Sequence, residues 1–432
     1  MRLENYQMIQ GDVLTHRGHS YEEMAQTYQT PLYIFDETSF IDRVEGYREG
    51  LKSTKFESEV LYASKALLTK EIARLIAKLD IGQDVVSAGE IFAGMAGGVE
   101  AGRMYFHGNN KTNDELIYAV QQGVGTIVVD NHQEAGRINE IAGSVAADFK
   151  QKVLLRVNPG IEAESHEYIV TATNDSKFGE NIHDPEINNY IESMMAMENL
   201  NFVGFHSHIG SQIFDQESFL KASHALIDFA KTVKEDLGMK ITELNFGGGF
   251  GVYYTEADTP FDVVEYLPKF VKEIEVSIEE AGLPIEKISI EPGRSLVNAS
   301  GSTLYRVGDL KGTLSGKEYA FVDGGMTDNI RPALYQAEYE GAIVNKITEE
   351  ATTTYTIAGK ACESGDKIIE GIELPQAETG DLLLVNGTGA YNFSMASNYN
   401  YIPRPAMVHV TDDSVKLTVK RDTFEDLVNN QL

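Results

Sequence analysis

The sequence predicts an α/β chain built on a (β/α)8, TIM-like barrel, with a C-terminal all-β domain that also takes in the N-terminal strand. Three observations carry this. Eight apolar runs, each followed by a polar motif residue and an amphipathic stretch, recur over about 235 residues, the size of a barrel of eight βα units. The runs lack a polar face, as parallel strands do when both sides are covered. Beyond residue 296 the texture changes to short alternating runs punctuated by glycine, the pattern of an all-β domain. A doubly wound open sheet shares the first two signals and stays open as an alternative at this stage.

Taken in order, the opening segment ends in a short strand, Leu32-Tyr33-Ile34-Phe35, with no helix-paired partner, so residues 1–35 are assigned to the β domain. The barrel is expected over residues 36–296, with apolar runs VLYASK (60–65), DVVS (84–87), MYFHG (104–108), TIVVD (126–130), VLLRVN (153–158), FVGFHSH (202–208), ELNFG (243–247) and ISIEPG (288–293). Between them, residues 69–79, 112–123 and 261–282 carry apolar positions at helical spacing. The β domain is completed by residues 297–432, through runs such as TLYRVGDL, EYAFVDGG, TTYTIAGKAC and DLLLVNGTG.

A chain of 432 residues accommodates two to three domains at about 150 each. Its charge sum, 36 − 66 = −30, repels nucleic acid and anionic lipid, so an anionic ligand must be captured by a local site. The single cysteine, Cys362, excludes an intrachain disulfide framework and a cysteine-based zinc site, and favours a reducing compartment. Arg2, Glu4 and Asp12 interrupt the N-terminus where a secretory signal would be apolar, and no run reaches the roughly 18 apolar residues of a membrane span. A cytoplasmic protein with no membrane partner is expected.

In a barrel the C-terminal ends of the strands converge on one rim. Here those positions hold Lys65, Ser87, His107, Asp130, Asn158, His208, Gly247 and Glu291, an unusually polar set. Each alone reads as a solvated loop residue; eight together point to an active site. Strands seven and eight run into Gly247-Gly248-Gly249-Phe250-Gly251 and Glu291-Pro292-Gly293-Arg294. Loops after the last two strands are the usual phosphate cradle, because glycines let backbone amides approach an anion and arginine adds charge. A lysine ending strand one opposite such a cradle suggests a Schiff base to an aldehyde cofactor that also carries a phosphate, and pyridoxal phosphate fits both ends. A carboxylate at Glu291 against the pyridine nitrogen would keep that ring protonated and able to accept electrons, which favours chemistry through a stabilised carbanion, such as decarboxylation. His107 and His206 are read as structural, because no ligand spacing supports a metal, and none is expected.

Together YASKA, HSHIGSQ (206–212), NFGGGFG (245–251), EPGR (291–294), DGGMTDNIRPALY (323–335), CESGD (362–366) and GTGAY (387–391) resemble the diaminopimelate decarboxylase family, within the barrel-type, fold type III pyridoxal phosphate-dependent decarboxylases. FHGNNK (106–111) and RVNPG…DSKFG (156–179) are similar to the same family. The resemblance implies decarboxylation of meso-2,6-diaminopimelate to L-lysine and carbon dioxide. It implies that Lys65 carries the cofactor, that His208 stacks on its ring, and that Ser211, Gly248, Gly249, Gly293 and Arg294 hold its phosphate, with Glu291 at the pyridine nitrogen and Tyr391 touching cofactor and substrate. Arg294, Arg331, Tyr335, Glu363 and Tyr391 match substrate-gripping positions, and Cys362 matches the acid that reprotonates carbon. In such enzymes the CESGD segment serves a second subunit, which implies a homodimer with shared sites. Decarboxylases of ornithine, arginine or carboxynorspermidine share the barrel motifs and remain alternatives, as does a regulatory homologue without catalysis. The segment TATNDSKFG departs from the family pattern in a lid-like stretch.

Overall fold

The computed structural model describes residues 1–145, 148–160 and 176–432. They form two compact units: Arg43–Gly251 with Pro260–Ser295, and Met1–Asp42 with Val252–Thr259 and Leu296–Leu432.

The first unit is a closed barrel of eight parallel strands: β1 (Glu57–Ala63), β2 (Gly82–Val85), β3 (Met104–Phe106), β4 (Thr126–Val129), β5 (Gln151–Asn158), β6 (Leu200–His206), β7 (Glu243–Asn245) and β8 (Lys287–Ile290). Each pairs with the next, and β8 pairs with β1. Closure excludes the open doubly wound sheet. The helical spacing seen in the sequence ends where capping chemistry ends it. Helix Lys70–Leu79 begins on the Thr69 side chain, helix Asn113–Gln122 on a reciprocal Thr112–Glu115 capping box, and helix Val263–Glu280 on Asp262.

The alternation departs from a simple repeat at its last step. β8 is followed only by the short helix Arg294–Val297, whereas the 14-residue helix Glu37–Gly50 precedes β1. The missing side chains at Gly46 and Gly50 let that helix lie against Val264 and Leu267 of helix Val263–Glu280, where an added Cβ would come within 3.0 Å. It thus occupies the place beside the seventh helix that an eighth would take.

Inside the barrel, Leu61, Tyr105, Val128 and Leu154 form an apolar layer with Val203 against it. Toward the N-terminal ends of the strands the interior turns ionic. The Tyr105 hydroxyl donates to Glu243 Oε1 (2.5 Å), Arg103 Nη2 to Glu59 Oε1 (2.6 Å), and Lys152 and Lys287 pair with Glu243 and Glu59. Every charge there has an opposite within reach, which is what burial of charge requires.

At the opposite rim the loops after β3 and β4 are tied by one buried ion pair. Lys111 Nζ donates all three hydrogens, to Gly108 O (2.8 Å), Val128 O (2.8 Å) and Glu134 Oε2 (2.9 Å), and Glu134 Oε2 also accepts from the Asp130 amide (2.9 Å). Neither residue is more than 2% exposed.

The second unit is built on a mixed sheet. In spatial order its strands are Lys367–Leu374, Thr353–Ala358, Glu318–Val322, Gly301–Gly312, Leu32–Asp36, Ala406–Val410 and Val415–Val419. Leu382–Asn386 also pairs with Gly301–Gly312 and carries Gly341–Ile343 on its other edge. The N-terminal strand therefore runs antiparallel to Gly301–Gly312 on one side and parallel to Ala406–Val410 on the other. All five of its residues are buried.

Breaking a buried ion pair by removing one partner leaves the other charge uncompensated. Lys111→Met should lower unfolding stability by about 3–5 kcal/mol in a urea titration; an unchanged midpoint would show that the pair does not hold the rim.

Candidate active site

Lys65 stands at the end of β1, in the single turn Ser64–Ala66. From Val60 to Leu67 every residue is buried except this lysine. Its base is fixed twice: Gln83 Nε2 donates to Ser64 Oγ (2.7 Å), and the Tyr62 hydroxyl donates to Leu67 O (2.6 Å). An exposed amine on a rigid, buried footing suits a nucleophile that must meet a ligand at one place.

Glu291 follows β8 and is buried, yet three groups converge on its carboxylate. His206 Nε2 lies 2.9 Å from Oε2, His107 Nε2 2.8 Å from Oε1, and Asn245 Nδ2 donates to Oε1 at 2.7 Å. Burial alone would raise this carboxyl, but His107 and His206 outweigh it and hold it well below the usual carboxylate range. His206 is itself pushed down to about 4, chiefly by burial, so a neutral ring directs its Nε2–H to the carboxylate. Behind them Asp84 lies 3.8 Å from His107, its carboxyl raised by burial. Arg156 of β5 carries the balancing positive charge toward Asp130, Glu291 and Asp84, and stacks over Phe178 at 4.5 Å.

His107 and His206, expected from the sequence to be structural, both stand against Glu291, and so does Asn245, which no expectation named. The strand pattern held the signal. His107 directly follows β3, and His206 and Asn245 are the last residues of β6 and β7, level with Glu291 after β8, so closure of the barrel brings all four together. The two histidines and Glu291 lie within 4.8 Å of one another, a spacing a metal ion could also use. The Asn245 amide turns a donor toward Glu291, an arrangement suited to holding a carboxylate rather than ligating a cation.

His208 is half-buried, and burial, followed by the charges of Lys65 and Arg156, keeps its imidazole well below its ordinary value and therefore neutral. The Gly248 amide, expected at a phosphate, donates here to His208 Nδ1 (3.2 Å) and so fixes the ring and its tautomer. Gly248 and Gly249 also permit contacts no side chain could: a Cβ would meet Glu291 O at 2.1 Å and Gly210 O at 2.1 Å. The glycine run thus first packs the loops after β6, β7 and β8 against one another. Beside it Arg294, 8% exposed, donates from Nη2 to Ser211 Oγ at 3.2 Å, so a guanidinium and a hydroxyl stand together next to Gly293.

The remaining expected residues lie in the second unit. Arg331 opens the short helix Arg331–Tyr335 and is buried, its guanidinium 4.6 Å from the Tyr254 ring centroid with Nη1 donating to the Tyr339 hydroxyl (2.5 Å). Burial alone would lower it, but the facing tyrosines more than offset this and keep it charged. Tyr335 is half-buried, and Cys362 and Glu363 are exposed. Tyr391 is half-buried with φ +63°, a left-handed backbone that a tyrosine rarely adopts and that recurs at functional sites. Residues 161–175, which include part of the expected lid-like stretch, lie outside the described residues.

Comparison with known proteins matches residues 38–298 to the pyridoxal binding domain of the pyridoxal-dependent decarboxylases. The chain is 43% identical to the diaminopimelate decarboxylase of Bacillus subtilis, over 95% of this chain and 93% of that one, and 38% identical to that of Staphylococcus aureus, over 98% of each. Among solved structures it superimposes on the diaminopimelate decarboxylase from M. jannaschii in co-complex with L-lysine, with a TM-score of 0.92 and 32% identity, covering 99% of this chain and 98% of that one. The Helicobacter pylori diaminopimelate decarboxylase complexed with L-lysine gives a TM-score of 0.86 at 32% identity, covering 95% and 98%. The donor set described above fits pyridoxal phosphate: an exposed lysine, an anchored carboxylate, a neutral imidazole, and an arginine–serine pair beside close-packed glycines.

The His206 value carries a pH consequence. Its ordinary value is 6.5 and its folded value about 4, so between these limits the unfolded chain binds a proton that the folded chain refuses. Stability contributed by this ring is therefore complete above 6.5 and is lost as pH falls toward 4. Replacing it by His206→Asn should weaken the fall in unfolding free energy from pH 7 to pH 5 by about 2 kcal/mol relative to wild type. An unchanged pH dependence in chemical denaturation would mean that the ring protonates in the folded chain as it does in the unfolded one.

Proposed function

The chain belongs to the diaminopimelate decarboxylase family of pyridoxal-dependent decarboxylases, and from that premise we propose that it converts meso-2,6-diaminopimelate to L-lysine and carbon dioxide at the rim of its barrel. The observation that carries the reading is the Glu291 carboxylate, buried and kept ionised by His107, His206 and Asn245 on the same rim as the exposed Lys65. Pyridoxal phosphate, when bound, supplies an aldehyde for the substrate amine and a ring that takes up the electron pair left as carbon dioxide departs.

In this reading Lys65 anchors the cofactor through its amine, and His208, neutral and fixed by the Gly248 amide, covers one face of the ring. Ser211, Arg294 and the backbone at Gly249 and Gly293 bind the phosphate, while Gly248, its amide on His208, packs the loop beside them. Glu291 holds a proton at the pyridine nitrogen, a task for which a carboxylate that stays anionic is suited. Arg331, with Arg294, Tyr335 and Tyr391, grips the substrate; its distal carboxylate suits an arginine and its distal ammonium suits Glu363. Cys362 supplies the proton: its S–H bond breaks as a C–H bond forms where the carboxylate was lost. Cys362 and Glu363 are exposed on the single chain, which supports their serving a second copy in a homodimer. A lone exposed thiol also supports a reducing, cytoplasmic setting. No helix among the described residues is long and apolar enough to cross a membrane.

Product analysis after adding meso-diaminopimelate, with and without pyridoxal phosphate, tests the reaction directly: L-lysine should accumulate only with the cofactor present. Lys65→Ala should abolish both turnover and the visible absorbance of the bound cofactor while leaving a folded chain. Near wild-type turnover in that variant would refute the assignment of Lys65. Lys65→Ala chains, inactive, and Cys362→Ala chains, reduced to residual turnover, mixed under exchanging conditions, should regain activity through hybrids that hold one intact site; no recovery, with exchange demonstrated, would mean that each chain completes its own site.

Arg331→Ala should lower kcat/KM for meso-diaminopimelate by a factor on the order of 30 or more, since removing one partner of a desolvated charge pair costs about 2–5 kcal/mol. Discrimination against L-lysine, which lacks the distal carboxylate, should fall with it. Loss of cofactor instead of substrate preference would place Arg331 in a different role.

A further inference from the structure

Cys362 lies in a tight turn, residues 361–366, held internally by the Glu363 amide on Ala361 O (2.8 Å) and the Asp366 amide on Glu363 O (3.1 Å). Four of the six residues, Cys362 to Gly365, are exposed. Such a turn has little packing of its own, and an exposed loop samples many conformations unless it is tied. Two side chains tie it, at consecutive backbone amides. The Ala361 amide donates to Asp366 Oδ2 (2.7 Å), and the Cys362 amide donates to Asn400 Oδ1 (2.7 Å).

Asp366 is only 3% exposed, and its other oxygen accepts from the Met326 amide (2.6 Å), in the loop that leads to Arg331. Its two partner amides offset the cost of burying the carboxylate. Asn400 reaches the turn from a backbone at φ 54°, ψ 24°, the left-handed region that asparagine tolerates better than most residues. Fixing the amides of residues 361 and 362 fixes the peptide plane before Cys362 and the direction in which its side chain leaves the chain.

We propose that Asn400 and Asp366 are positioning residues that set where the Cys362 thiol stands. The inference rests on the reading that Cys362 returns the proton to the substrate carbon; neither Asn400 nor Asp366 needs to touch the reacting atoms. It predicts that disturbing the clamp acts through the thiol and through nothing else that Cys362→Ala has not already removed.

The test uses the full chain with its cofactor bound. Asn400→Gly keeps the left-handed backbone and removes the acceptor, and Asn400→Asp keeps both. Because Cys362 is the chain's one cysteine, its alkylation rate by iodoacetamide reports on the thiol without reference to turnover. Asn400→Gly should change that rate and lower kcat, each by about 2- to 12-fold, the worth of one hydrogen bond, with KM nearly unchanged. Asn400→Asp should restore both, and Asp366→Asn should act in the same direction as Asn400→Gly. In a Cys362→Ala background Asn400→Gly should cost no further turnover, the non-additive result expected of residues that act as a unit.

Wild-type alkylation and kcat in Asn400→Gly overturn the proposal, and so does an equal fractional loss of kcat in the Cys362→Ala background. Wild-type turnover by Cys362→Ala itself overturns the proton-donor reading instead, and the alkylation rates then still decide whether the clamp positions the thiol.

Discussion

A carboxylate that must stay charged while buried governs the architecture of the barrel rim. Left alone, Glu291 would take up a proton on burial, because an isolated ionised group in a poorly polar interior is far costlier than a neutral one. It stays ionised because His206 and Asn245 hydrogen-bond it from the ends of two other strands and the His107 ring stands 2.8 Å away at the end of a third. Those strands meet only if the sheet closes, so the closed barrel and the charge state of one side chain are a single requirement. The close-packed glycines serve the same end by letting the loops after β6, β7 and β8 approach, and one of them spends its amide on His208.

The second unit solves a related problem with different materials. Among the described residues no carboxylate pairs with the buried Arg331, and the Tyr254 face and the Tyr339 hydroxyl take the solvating role. Aromatic faces attract a guanidinium without neutralising it. The charge remains available to an anion, and the side chain has already lost the rotational freedom that binding would otherwise remove.

Much of this was legible in the sequence, for identifiable reasons. The eight barrel strands are marked in the sequence by short apolar runs, because burial on both faces leaves few polar positions between the ionic lower ends and the rim, and the helices that begin after Thr69, Thr112 and Asp262 are marked by apolar residues at helical spacing. Lys65, Glu291 and His208 are visible from position alone, being polar residues where apolar strands end. What depends on closure was not legible. His107 and His206 lie 99 residues apart in the chain, and nothing in either neighbourhood says that both face residue 291. The helix beside β1 was hidden for the same reason, since its role comes from packing against a segment more than two hundred residues later. The clamp at Cys362 joins residues 38 positions apart and leaves no periodic trace.

The strand Leu32–Asp36 has a consequence for how the molecule comes into being. Its partners, Gly301–Gly312 and Ala406–Val410, are translated roughly 265 to 375 residues after it. At a synthesis rate of about 5–20 residues per second, the strand waits roughly 19 to 75 s for both sides to be covered. During that interval the barrel strands, which end at Ile290, have all been made, while four apolar residues and Asp36 wait with both strand edges open. The order of synthesis therefore leaves Leu32–Asp36 without one of its two neighbours until Ala406–Val410 has been made.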